Sequence, residues 1–144
     1  MRDIKYPNGR PAIQQSPNDV NKVILLKHFV VIDSNGVNWV VPEGEESDGE
    51  SSPEIFEPLA GDPFSAVVIP AVICHDYYTK TKERSQEQTH RIYYDLLKHE
   101  IKNNKEFKWF WALPWNNKLW QLSKAFIKWK LVIEYNRKMH PNWK

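Results

Sequence analysis

The sequence predicts an α+β domain in which an N-terminal extended arm and a small antiparallel sheet precede three main helices. Three observations predict it. β-branched and aromatic runs, 23–32 and 37–41, flank Asp33-Ser-Asn-Gly36, and an Asn-Gly pair between such runs marks a hairpin. Apolar residues then mark two neighbouring helical segments, as a run opened by Pro70 over about 70–80 and at helical steps over 85–103. A third stripe, Leu119, Leu122, Phe126, Trp129 and Ile133, runs through a helix expected from about Asn117 to Lys138.

Length and composition narrow the function classes. At 144 residues the chain suffices for one domain with a core of its own. Seven tryptophans and an ordinary charged fraction exclude a disordered chain. Cys74 is the one cysteine, which excludes an internal disulfide framework and a Cys-rich zinc site and fits a reducing compartment or simple indifference to redox state. No apolar run reaches the roughly 18 residues that span a bilayer. No N-terminal signal pattern is visible either, so the expectation is a soluble protein that no signal peptide exports.

In chain order, residues 1–21 read as an extended arm with turns, because Pro7, Pro11 and Pro17 interrupt a stretch without periodicity. Residues 22–144 read as a single α+β domain. The hairpin comes first, with His28 expected to point outward from its first strand. Pro42 closes the hairpin. From Glu43 to Asp62 the chain carries eight carboxylates and no Lys or Arg. Gly, Ser and Pro make this a turn-rich loop, either simply solvated or a holder of a divalent cation. A short helical turn is expected at 54–60, and 64–69 is open between strand and helix.

Pro70 suits the first turn of a helix that runs to about Lys80, since the first helical N–H has no partner to lose. Ser85 and Gln88 stand at capping-box spacing and open the next helix, which carries His90 in its early turns. Two helices joined by a short link pack antiparallel, which brings His90 close to His75.

His75 and Asp76 are the candidate chemistry. A His beside an Asp in an apolar setting serves as a general base with an orienting or metal-binding carboxylate, or as a satisfied polar pair at the core boundary. His75, Asp76 and His90, together with Asp48, also form a plausible transition-metal ligand set, two imidazoles plus carboxylates. At the C-terminal end Trp109, Trp111, Trp115, Lys124 and Lys128 form the candidate interaction surface. A Trp- and Lys-rich helix can meet a membrane or cell-envelope surface, phosphate backbones or a protein neighbour, or pack on its own domain with its lysines in water.

Three segments together resemble a known pattern. Ser47-Asp-Gly-Glu-Ser-Ser-Pro53 resembles Thr-Asp-Gly-Ala-Ser-x-Pro, and it follows a hairpin that ends in Val41-Pro42. His75-Asp-Tyr-Tyr-Thr79 resembles His-Asp-Tyr-Leu-Tyr. Ser85-Gln-Glu-Gln-Thr-His-Arg-Ile-Tyr-Tyr-Asp-Leu-Leu97 resembles Ser-Arg-x-x-Ala-Asp-x-x-Phe-x-x-x-Met. The ordered set, over about residues 22–100, resembles a domain-of-unknown-function family common in tailed-bacteriophage genomes and prophages. Its His-Asp helix and following acidic helix are in turn similar to those of phospholipase A2. That likeness implies His75 as the base, Asp76 as a calcium ligand, and an acid on the second helix holding the imidazole.

The sequence departs from the pattern where the chemistry would sit. His90 stands at the position of the second-helix Asp, Gln86 at that of the Arg, and Thr79 at that of the final Tyr. A neutral imidazole cannot act as the anionic partner of His75. Glu87, one turn earlier, is a substitute candidate, whereas Asp95 falls on another face. The expectation is therefore a non-enzymatic bacteriophage protein, a virion or tail-associated component on a hydrolase-like scaffold. Its partners would be other phage structural proteins or further copies of itself, and its place the virion or the host cytoplasm. The alternative is a metal-assisted hydrolase, phospholipase A2-like or directed at the cell envelope, with His75 as base and Asp76 and Asp48 helping to hold a divalent metal ion. A nucleic-acid-binding role through the basic C-terminal helix ranks third.

Overall fold

The computed structural model describes residues 3–48 and 68–103, with 133–134, 137–138 and 142–143 near the C-terminus. Within them the chain forms β1 (Ile13–Gln15), β2 (Val23–Leu25), β3 (Phe29–Ile32), β4 (Asn38–Val41), β5 (Glu46–Ser47), α1 (Ile69–Thr81) and α2 (Gln86–Asn103). The class is α+β, with two small antiparallel sheets and two helices among the described residues. The expected third helix lies largely outside them, as do the turn at 54–60 and residues 49–67 generally.

The hairpin forms at the expected place as β3 and β4, with Phe29 opposite Val41 and Ile32 opposite Asn38. Its loop is not a two-residue turn. Gly36 alone takes positive φ (83°), its N–H reaches the Asp33 carbonyl at 2.9 Å, and the Asp33 N–H reaches the Val37 carbonyl at 3.0 Å. This is the three-residue loop in which a turn ends in a left-handed glycine. Asp33 holds it from inside. One carboxylate oxygen accepts the N–H groups of Asn35 and Val37, and the other accepts the Trp39 indole N–H at 3.0 Å.

Residues 23–32, expected as one strand, form two. β2 pairs with β1 and β5, while β3 pairs with β4. Strand alternation supplies the reason. A continuous strand would turn residues 25, 27, 29 and 31 to one face. Leu25, Phe29 and Val31 are buried there, and Lys27 is the member that cannot follow. A bend at Leu26 and Lys27 breaks the strand, and Lys27 and His28 both turn into water. His28 thus points outward from the link between β2 and β3 rather than from a strand, and its Nδ1 accepts the Glu43 N–H.

The arm is structured by its own body. Ile13–Gln15 adds a strand beside β2, and Lys5 exchanges both backbone hydrogen bonds with Ile32. Tyr6 packs on Phe29 and donates its hydroxyl proton to Glu100 on α2 at 2.7 Å; Arg10 pairs with the same carboxylate.

In α1 the residues Pro70 to His75, and Tyr78, are buried. A helix covered on most sides has no polar stripe, which is why its sequence reads as a run rather than a period. Lys82 ends it in the left-handed conformation (φ 56°), returning its N–H to the Tyr78 carbonyl. The Tyr78 hydroxyl accepts the Val40 N–H at 2.8 Å and donates to the Val40 carbonyl at 3.2 Å, closing the outer edge of β4. The capping box forms as spaced: the Ser85 hydroxyl accepts the Gln88 N–H, and the Gln88 side-chain oxygen accepts the Ser85 N–H. Along α2 the buried residues Thr89, Ile92, Tyr93, Leu96, Leu97 and Glu100 form one stripe facing α1 and the hairpin.

Candidate functional site: a buried imidazole pair

α1 and α2 pack against each other, and their facing stripes put His75 against His90. The His75 Nε2 and the His90 Nδ1 are 2.9 Å apart, with the rings stacked at 5.1 Å. Neither ring meets bulk water: His75 is 0% and His90 2% exposed. A neutral imidazole has one N–H and one bare nitrogen, so two of them satisfy each other with a single N–H···N bond. The Thr79 hydroxyl stands 3.4 Å from the other His75 nitrogen, one turn along α1. Tyr93, one turn beyond His90, sets its ring edge-on to His75 at 5.0 Å.

Burial, and then the neighbouring His90, hold His75 well below the ordinary imidazole pKa. Burial, and then the positive charge of Arg137, lower His90 to about 4. Both causes disfavour a second proton on either ring, so the pair is neutral across the physiological range. The pair can hold and orient a proton.

Asp76, one residue on, points elsewhere. It is half-buried and accepts a hydrogen bond from the Ser47 hydroxyl of β5, the residue before Asp48. β5 is itself fixed by its pairing with β2, by Ser16 donating to Glu46, and by a Lys80–Glu45 ion pair to α1.

The expected site residues therefore come together in part. His75 meets His90; Asp76 meets the strand that ends beside Asp48. Among the described residues no group of three or more His, Cys, Asp or Glu side chains is arranged to hold a metal ion. Glu87 is exposed, and His90 itself fills the place beside His75. Thr79 and Tyr93 were legible only as residues one turn from each histidine. Ser47 opens the first of the resembled motifs, but its contact with Asp76 was not legible, because a long-range strand pairing brings it there. Trp109, Trp111, Trp115, Lys124 and Lys128 lie outside the described residues.

This small α+β domain with an imidazole pair between its helices belongs to a recognised family. The family model matching residues 23–113 is described as "Protein of unknown function (DUF1353)", and the chain is a member of that family. Two curated proteins of Sinorhizobium fredii are similar to it. "Uncharacterized protein y4jT" is 34% identical over 104 residues, which is 72% of this chain and 31% of that protein. "Uncharacterized protein y4iH" is 33% identical over 96 residues, 67% of this chain and 40% of that protein. The match thus spans well under half the length of either relative. No solved structure matches the chain.

Proposed function

We propose that this chain is a non-enzymatic structural or interaction component, a virion or tail-associated building block in the bacteriophage setting that its motifs resemble. One observation carries the non-enzymatic part. His75, the only histidine with an adjacent Asp, is fully buried, bound to a second neutral imidazole and held far below its ordinary pKa. A general base must reach a substrate proton and accept it near the working pH. This one is closed off from substrate and disinclined to accept a proton. The arm and the Trp- and Lys-rich end supply the contact surfaces in this reading, to further copies or to other particle proteins. Two measurements test it. The purified chain, given calcium or zinc, should release no more product from phospholipid vesicles or cell-envelope material than its His75→Ala variant. The chain should also co-purify with assembled particles or self-associate in sedimentation; a strictly monomeric chain absent from particles refutes the reading.

A second reading is favoured by one contact. His75 bonds through Nε2 to the second-helix position where the resembled pattern has an acid, and Asp76 lies against the strand leading to Asp48. A metal-assisted hydrolase would use that skeleton, with His75 as base and Asp76 and Asp48 near the cation. Calcium-dependent hydrolysis abolished by His75→Ala would establish it in place of the first.

A further inference from the structure

The imidazole pair leaves one polar corner over. His90 Nδ1 is turned to His75, which sends its Nε2 to the opposite side of the ring. That nitrogen is buried and has no hydrogen-bond partner. The Gln86 Nε2, one turn earlier on the same face of α2, is likewise buried and unpartnered. A buried polar atom without a partner is costly, and two on side chains one turn apart call for an explanation. Around them stand the Trp143 ring, edge-on to His90 at 5.9 Å and tied by its indole N–H to the Arg84 carbonyl, and the exposed Arg137, whose charge acts on His90.

The groups left over decide the class of ligand. A side-chain amide N–H, an imidazole nitrogen able to carry hydrogen and a guanidinium nearby all suit an acceptor with negative charge. A metal cation is disfavoured, since Arg137 repels it and only one imidazole nitrogen is on offer. The first turn of α2 adds its positive end. We infer that Gln86, His90 and Arg137 form a binding site for a small oxyanion, a carboxylate or phosphate group, with Trp143 as its wall. The site is separate from Asp76 and Asp48, and it stands whether or not the chain is an enzyme.

An anion there offsets both causes that depress His90, its burial and the charge of Arg137. His75 on α1 stays neutral throughout. Nitrogen-15 NMR of the full chain's imidazoles reads this directly, with inorganic phosphate and acetate in separate titrations and chloride at matched ionic strength as the control. The expected result is a saturable shift of the His90 Nε2 signal and a rise of the His90 pKa above about 4 with at least one oxyanion. Saturation by phosphate alone identifies a phosphate group, and by both a general oxyanion site. Glycerol phosphate binding more tightly than free phosphate places the group on a larger molecule. Arg137→Gln, at an exposed position, should weaken binding about tenfold without changing the fold, and Gln86→Leu should do the same. A response that is linear and equal in chloride, or one untouched by Arg137→Gln, overturns the inference and leaves an ordered water on Nε2.

Discussion

His90 decides what the interface between α1 and α2 can tolerate, because it makes the pair neutral where a carboxylate would make it ionic. The unfolded imidazoles titrate near 6.5, whereas folded His90 titrates near 4 and burial, then His90, hold His75 well below the ordinary value. Below 6.5 the unfolded chain therefore binds more protons than the folded one, and stability falls as pH falls. It is complete above 6.5 and drains away down to about 4, by at most about 1.4 kcal/mol per unit of pH for His90. Urea midpoints at pH 7.5, 6 and 5 check this; a flat profile would mean that the rings are not buried as a neutral pair. The substitution His90→Asp reverses the sign. A carboxylate beside His75 raises the His75 pKa by more than a unit above its value in the His90 protein, readable by NMR. The chemistry of this pair was partly legible in the sequence: helical spacing and a short link brought 75 and 90 together. The direction of Asp76 was not, since it depends on β5 pairing with β2.

At the scale of elements, hydrogen bonds at strand edges and helix ends matter as much as apolar area. Removing the Tyr78 hydroxyl frees both backbone groups of Val40 at the edge of β4. Tyr78→Phe should cost about 1–2 kcal/mol and speed hydrogen exchange at the Val40 amide, while residues of α2 stay protected. Ser85→Ala removes one half of the capping box and should cost about 1 kcal/mol, seen as a lower thermal midpoint with α2 still formed. Both helices and the cap were legible because their signals are local. The break between β2 and β3 was hidden in a ten-residue apolar run. Its one clue was Lys27, a charge standing at a position that alternation would have buried.

Among the described residues, the two sheets and two helices share one apolar core, and a few polar side chains cross between them. Glu100, 2% exposed, receives both the Tyr6 hydroxyl and Arg10. Burial, and then Glu100, push the Tyr6 hydroxyl well above its ordinary pKa, so it remains the donor. Glu100→Ala should cost about 2 kcal/mol, the worth of a charged hydrogen bond with its outer partner half in water. Limited proteolysis should then cut the arm first and leave α1 and α2 intact; unchanged cleavage would show that β1 alone secures it. From sequence the arm read only as extended, because proline spacing says nothing about a partner far along the chain. Tyr6 and Glu100 are 94 residues apart. A ribosome makes the arm long before the acceptor, so during synthesis this seam cannot close until α2 has been made. Until then the arm is held by its backbone pairing with β2 and Ile32.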